Sequence, residues 1–139
     1  MNRKSYQGSC HCGAVHIHIA RKPACMNDCD CSWCAKSGAI WGYFETSEVE
    51  VFGDTKSYTR ADYSEPAVQI HFCQTCGCVT HWTLTNDFAQ KTGSKDMGSN
   101  MRMFGNDAKQ DVELRFPDGA NWTGKTDYGY RKPSTIWHP

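Results

Sequence analysis

Short stretches of alternating apolar and polar residues dominate the chain. In residues 14–20, the aliphatic side chains Val15, Ile17 and Ile19 share one side, and two histidines share the other. A period of two is typical of a strand with one buried face. We therefore expect this segment to be a strand at the surface of a β core.

Similar strands are expected at residues 6–9, 39–44, 48–52, 56–60, 67–72, 78–85 and 112–116. Gly53 and Asp54 predict a tight turn that joins 48–52 to 56–60 as a hairpin. One helical turn is expected between Ser32, as its cap, and Gly38, as its end. No linker-like segment separates these elements. The sequence thus predicts a single domain over residues 1–139, mainly β, with short antiparallel strands and little helix.

Two longer segments lack this periodicity. Residues 86–107 are mostly polar, and we expect Met101, Met103 and Phe104 to anchor them as a strand in the core. The alternative for this segment is a lid beside a functional site. The aromatic and polar tail, residues 121–139, gives no structural prediction.

The apolar content is low for a folded domain. Leu, Ile, Val and Phe together supply 19 of the 139 residues. This share, roughly 14%, is below the level of ~20% at which disorder becomes a concern. The formal net charge of zero removes the other compositional sign of disorder. Hydrophobic burial alone is modest, so we expect bound metal to contribute to folding.

The charge balance and the cysteine content also restrict partners and location. A neutral chain argues against nucleic acid, which favours a basic face. No apolar run reaches the length of about 18 residues expected of a transmembrane helix, so we expect no membrane partner. Residues Met1 to Ser5 lead into polar sequence, which predicts no secretory signal. We therefore expect a cytoplasmic protein, in a reducing compartment where clustered cysteines more often bind metal than form disulfides.

Seven of the nine cysteines lie in three tight clusters. The clusters are Cys10 with Cys12, Cys29 with Cys31 and Cys34, and Cys73 with Cys76. This spacing is typical of zinc sites, because several thiolates must reach one ion from short pieces of backbone. Zinc takes four ligands, so seven thiolates divide most simply into four and three. The sequence therefore predicts two zinc ions per chain.

The first site combines the two pairs that are each followed by glycine, Cys10 and Cys12 with Cys73 and Cys76. Four thiolates close the zinc tetrahedron, so we expect this site to be structural. The remaining Cys29, Cys31 and Cys34 leave one position open, which is where zinc chemistry usually takes place. A zinc ion with three thiolates is electron-rich, so the predicted chemistry is the transfer of a thiol to a small electrophile and not hydrolysis.

Other assignments of these cysteines remain open. Cys25 precedes the second cluster by four residues and could supply a fourth thiolate, which would make both sites structural. Alternatively, only one zinc ion binds and Cys29, Cys31 and Cys34 are free thiols. Cys78 is expected to pack in the core.

Three motifs resemble the glutathione-dependent formaldehyde-activating enzyme family, which includes centromere protein V. They are G-S-C-H-C-G-A-V at residues 8–15, C-x-C-S-x-C at 29–34 and F-C-x-x-C-G at 72–77. The match covers roughly residues 5 to 116. It implies a β fold similar to the small zinc-binding chaperone of Rab GTPases, with a structural and a catalytic zinc ion at the two sites described above. Asp30 stands where the family often has histidine, which makes the catalytic site more negative.

The resemblance implies condensation of glutathione with formaldehyde to S-(hydroxymethyl)glutathione, or the reverse carbon–sulfur cleavage. The expected partners are therefore a small-molecule thiol and a small aldehyde, and Tyr43 or water could supply a proton. Because glutathione has two carboxylates, four basic residues are candidate partners: Lys36, Lys56, Arg60 and Arg102. The alternative is an adaptor module that is stabilised by zinc and has no catalytic role.

Overall fold

The computed structural model describes residues 5–123 and 129–138, and its fold is mainly β, as predicted. The strands are β1 Tyr6–Ser9, β2 His16–Ile19, β3 Cys25–Asn27, β4 Trp41–Glu45, β5 Val49–Phe52, β6 Thr55–Thr59, β7 Val68–Cys73, β8 Val79–Leu84, β9 Asp96–Asn100, β10 Glu113–Pro117 and β11 Tyr130–Ile136. The helices are α1 Ser32–Ser37, α2 Asn86–Thr92 and α3 Asn106–Lys109. The prediction of no secretory signal rests on Met1 to Ser5, of which residues 1–4 lie outside the described residues, as do 124–128 and 139 of the tail.

The strands form two sheets. The smaller sheet has the order β1-β2-β5, and the larger has the order β11-β10-β3-β4-β9-β8-β7-β6. Neighbouring strands are antiparallel, as predicted, except that β3 and β10 are parallel. A parallel pair needs a long crossover connection, and the chain between these two strands supplies one. Short-range sequence patterns do not reveal such a distant pairing.

The predicted hairpin of residues 48–52 and 56–60 is wrong, although both strands exist. β5 pairs with β2 in the smaller sheet, and β6 pairs with β7 in the larger one. Between them, Gly53 has a φ of 98° and packs so closely that a Cβ atom there would lie 2.0 Å from the carbonyl oxygen of Ala14. The glycine therefore turns the chain from one sheet to the other. The alternating pattern identified each strand but not its partner.

The two sheets share a hydrophobic core. Ile17 and Ile19 of the smaller sheet are almost fully buried, as their alternation predicted. They belong to the same buried cluster as Met26, Met101 and Phe104. The last two residues confirm that the segment 86–107 is anchored in the core. Met101 lies in a 3₁₀ turn rather than in a strand, and the preceding α2 and β9 were not predicted.

The C-terminal tail, whose structure was not predicted, contributes β11 to one edge of the larger sheet. This strand pairs with β10, which in turn lies beside β3. β3 leads directly into the second cysteine cluster. Of the helices in residues 5–123 and 129–138, none has the length and apolar character needed to cross a membrane.

Candidate metal centres and active site

Four cysteine side chains, carried by segments of both sheets, lie close together. Cys10 and Cys12 lie in the connection from β1 to β2, Cys73 is the last residue of β7, and Cys76 lies in the turn from β7 to β8. Their Sγ atoms all lie within 4.8 Å of one another. The Sγ–Sγ distance is 3.7 Å from Cys10 to Cys12 and 3.6 Å from Cys12 to Cys73. Four sulfurs around zinc, each at ~2.3 Å, would be about 3.8 Å apart, so the geometry fits this metal.

Backbone N–H groups point at the sulfurs of this four-thiol cluster. Val15 N donates to Cys10 Sγ at 3.3 Å, and Thr75 N and Cys76 N donate to Cys73 Sγ at 3.4 and 3.5 Å. The N–H groups of Cys76 and Thr75 lower the pKa of the Cys73 thiol below its ordinary value. Hydrogen bonds of this kind favour the thiolate, the form that binds metal.

The second cluster is built by the loop after β3 and the first turn of α1. The Sγ atoms of Cys29, Cys31 and Cys34 also lie within 4.8 Å of one another. Cys31 is the N-cap of α1, and its Sγ accepts a hydrogen bond from Cys34 N at 3.4 Å. The prediction that Ser32 caps this helix is therefore wrong by one residue. The capping geometry turns the Cys31 sulfur back towards the helix, where it meets Cys34.

Two side chains from other elements also donate to this three-thiol cluster. Trp41 Nε1 donates to Cys34 Sγ at 3.4 Å, and Arg60 Nη1 donates to Cys31 Sγ at 3.5 Å. Arg60 is held by Asp62, which accepts from its Nε at 3.0 Å and from its Nη2 at 2.7 Å. Its side chain is only 10% exposed. Arg60 thus already donates hydrogen bonds to a thiol and a carboxylate of the chain itself. It is therefore less available than predicted to bind a carboxylate of glutathione.

Because the three thiols are in close contact, their pKa values shift in different directions. Hydrogen bonds from Cys29 and Cys34 place the pKa of Cys31 far below its ordinary value, and the Cys34 N–H and the Arg60 charge act in the same direction. Contact with the other two thiols raises the pKa of Cys34, as contact with Cys31 raises that of Cys29. Negative charge therefore concentrates on Cys31, and a bound cation would relieve the competition among the three sulfurs.

The two remaining cysteines belong to neither group of mutually close sulfurs. Cys25 lies in β3 and is partly buried, but its sulfur is not part of the three-thiol cluster. Cys78 is partly buried and packs against the four-thiol cluster. The described residues thus offer the second cluster three thiols and no fourth.

A groove of about 240 Å³ lies beside the three-thiol cluster, because Arg60, which lines it, contacts Cys31 Sγ. Its walls come from α1, β6 and the segment after β6. It is lined by Ser32, Trp33, Lys36, Tyr58, Arg60, Ala61 and Asp62. The rings of Trp33 and Tyr58 stack with centroids 5.2 Å apart. Among the other basic candidates, Arg102 donates from its Nε to Gly38 O at 2.6 Å, and Lys56 is not a lining residue.

Two contacts of Asp30 with residues near the C-terminus were not predicted. Arg131 lies 3.6 Å from a carboxylate oxygen of Asp30, and Ala120 N donates to the other carboxylate oxygen at 3.0 Å. The negative charge expected from Asp30 is therefore paired. No local signal in the sequence connects positions so far apart along the chain.

A family profile and a solved structure show what this chain is similar to. The sequence profile of the family described as glutathione-dependent formaldehyde-activating enzyme matches residues 5–114. The crystal structure of a Rhodobacter sphaeroides protein is similar, with 30% sequence identity and a TM-score of 0.56. That similarity covers 70% of this chain and 86% of the other. The chain therefore belongs to the glutathione-dependent formaldehyde-activating enzyme family.

Proposed function

We propose that this protein is a zinc-dependent enzyme that joins glutathione to formaldehyde to give S-(hydroxymethyl)glutathione, or that catalyses the reverse reaction as a carbon–sulfur lyase. The observation that carries the proposal is a cluster of three thiols, with no fourth among the described residues, beside an open groove. Family membership supports the pairing of glutathione with formaldehyde. Reduced cysteines that bind zinc would be in keeping with a reducing compartment such as the cytoplasm.

The two clusters would hold one zinc ion each, with different roles. Cys10, Cys12, Cys73 and Cys76 supply four ligands and leave no position for a substrate, so this site would be structural. Cys29, Cys31 and Cys34 would hold the second ion. When bound there, zinc supplies one further position at which an incoming thiol is kept in its thiolate form.

The surrounding side chains limit the charge at the second site. Three thiolates carry more negative charge than a divalent cation neutralises. Arg60 and Trp41 donate hydrogen bonds to Cys31 and Cys34, which lowers the electron density at those two sulfurs. This reduces the repulsion that a further, incoming thiolate would meet.

The groove provides a place for the remainder of the glutathione molecule. Trp33 and Tyr58 offer an apolar wall, and the ammonium of Lys36 is suited to a carboxylate. Trp33 Nε1 is buried and has no hydrogen-bond acceptor among the described residues. A substrate acceptor would reach this N–H only if the Trp33 ring moves, so the proposal does not depend on that contact.

The reaction needs no oxidant or reductant. A bond forms between the thiol sulfur and the carbonyl carbon of formaldehyde, and the carbonyl π electrons move to the oxygen. That oxygen takes one proton, so the proton lost by the thiol is balanced. Water is the proposed proton donor, with Tyr43 as a protein candidate. Asn27 Nδ2 donates to Tyr43 Oη at 2.9 Å and so fixes the position of that hydroxyl. Binding both reactants in one groove would contribute proximity.

Native mass spectrometry with and without glutathione tests the proposal. We expect two zinc ions in the wild-type protein and a glutathione adduct that forms only when the second site is loaded. Cys31→Ser should remove one zinc ion and the adduct, because the cluster then has two thiolates. Consumption of formaldehyde in the presence of glutathione should be lost with them.

Cys25→Ser is the matched control, because Cys25 is close in sequence but outside the cluster. It should retain both zinc ions and the adduct. Loss of one zinc ion in this variant, with no adduct in the wild type, would instead indicate two closed sites and a non-catalytic adaptor. A single zinc ion that is insensitive to Cys31→Ser would refute the catalytic site.

A further inference from the structure

We propose that the C-terminal segment, residues 117–123 and 129–131, is a positioning element of the three-thiol site. In this proposal Gly119 keeps the Cys29 sulfur in the cluster, and Arg131 fixes the loop that carries Cys29. The inference deepens the proposed function and rests on it only for the identity of the metal. The contacts themselves are independent of that function.

Gly119 lies directly against the cluster. A Cβ atom at this position would be 2.3 Å from Cys29 Sγ and 3.1 Å from the Cβ of Cys31. Both distances are shorter than ordinary non-bonded contacts. Because a cysteine side chain has one rotatable bond before its sulfur, Cys29 could avoid a methyl group only by turning its Sγ away from the other two thiols. The absence of a side chain at Gly119 is therefore required for the observed cluster.

The residue after Gly119 holds the same loop through its backbone. Ala120 N donates to Asp30 Oδ1 at 3.0 Å. Asp30 lies between Cys29 and Cys31 in the chain, so this hydrogen bond restrains the backbone that separates two of the thiols. The contact joins positions that are 90 residues apart in sequence.

Arg131 connects the start of β11 to both aspartates of the loop. Its guanidinium lies 3.6 Å from Asp30 Oδ2 and 3.7 Å from Asp28 Oδ1. It also donates to the carbonyl oxygens of Asp28 and Pro117. One side chain thus ties together the loop before Cys29 and the segment that carries Gly119, and it balances negative charge beside the thiols.

This positioning element lies beyond the part of the chain that the family profile covers, which ends at residue 114. Asp30, which it contacts, lies within the matched part of the chain, between two of the three thiols. The two features compensate each other in charge, since Arg131 pairs with Asp30. We infer that the C-terminal segment and Asp30 act together in this chain.

Gly119→Ala tests the proposal by zinc titration and by alkylation of the cysteines with iodoacetamide, read by peptide mapping. We expect the affinity of the second site for zinc to fall about 10- to 100-fold, as is usual when a group that orients a ligand is lost. In zinc-free protein, alkylation of Cys29 should become faster. The four-thiol site should keep its zinc. Gly129→Ala is the matched control in the same segment, because a Cβ atom there would have nothing within 4 Å.

Arg131→Gln keeps the proposal testable if Gly119→Ala does not fold, because Arg131 lies at the surface. It should also weaken zinc binding at the second site and speed the alkylation of Cys29, with partial recovery in Arg131→Lys. The proposal is wrong if the folded variants bind zinc at the second site with the affinity of the wild type and their Cys29 is alkylated at the wild-type rate. If wild-type protein binds zinc only at the four-thiol site, the proposed function fails, and the rate of Cys29 alkylation alone decides this inference.

Discussion

At the scale of single residues, Arg60 is the side chain that most changes the chemistry of the candidate site. It contacts Cys31 Sγ while Asp62 holds it through two hydrogen bonds. Because Asp62 and the thiol both bear negative charge when ionised, the guanidinium is stabilised in place and its pKa rises above its ordinary value, mainly through Asp62. Arg60 therefore supplies a permanent positive charge beside the sulfur that carries most of the negative charge.

We predict that Arg60→Gln weakens zinc binding at the three-thiol site about 10- to 100-fold, the usual cost of losing a partner of a metal ligand. Competition with a chromophoric chelator measures this affinity. Arg60→Lys should recover part of this affinity, since lysine keeps the positive charge but lacks the planar set of N–H donors of the guanidinium. The control is Arg21→Gln, which breaks a surface pair with Glu48 and should leave zinc binding unchanged. Equal affinities in wild type and Arg60→Gln would show that this contact does not matter.

At the scale of elements, the connection between β5 and β6 decides how the chain is divided between the sheets. Gly53 combines a φ of 98° with close packing against the carbonyl oxygen of Ala14. A positive φ alone disfavours any residue with a Cβ atom, and here the backbone of the neighbouring turn also occupies the space. The crossing of the chain therefore depends on a residue without a side chain.

We predict that Gly53→Ala destabilises the protein by more than about 2 kcal/mol, because strain and a clash with backbone act together. Urea denaturation followed by circular dichroism measures the change. Gly93→Ala is the matched control, with a φ of 68° but nothing within 4 Å of the added Cβ atom. It should cost only the strain, about 1–2 kcal/mol. Equal losses in the two variants would mean that the contact with Ala14 is not limiting.

At the scale of the whole molecule, two groups of side chains among the described residues hold the two sheets together. One is the shared core around Ile17, Met26 and Met101. The other is the four-thiol cluster, which draws thiols from both sheets and packs on the buried Val15. With so few large aliphatic residues in the chain, we expect the second connection to contribute a substantial part of the stability.

We predict that a strong chelator lowers the midpoint of thermal unfolding by on the order of 10 °C or more, since a structural zinc site contributes several kcal/mol. Both sheets should unfold in one transition before and after zinc removal, as one domain would. Cys12→Ser should behave like the chelated protein, because Cys12 is exposed and its loss leaves the core intact. Cys78→Ser should not. An unchanged midpoint after verified zinc removal would assign the stability to the core alone.

How well each feature could be predicted from the sequence depends on how far apart along the chain the interacting residues lie. β1, β2 and β7 were predicted well, because alternation and cysteine spacing act over a few residues. The grouping of seven cysteines into four and three matches the clusters of close sulfurs, since ligand number restricts the choices. The partner of β5 and the course of β11 were not predictable, because pairings between distant segments leave no local pattern. For the same reason the contacts of Arg60 and Arg131 with the site could not be anticipated.

The distribution of the clustered cysteines along the chain has a consequence for synthesis. The three-thiol set is complete within six residues and is made before β4, whereas the four-thiol set joins thiols that are 61 residues apart and is finished only after β7. A nascent chain therefore presents the open site to cellular zinc while the closed site still lacks half of its ligands. Zinc bound there at this stage would be held weakly, because Arg60, Gly119 and Arg131 follow later in the chain, whereas the closed site has all four of its thiols as soon as Cys76 is made.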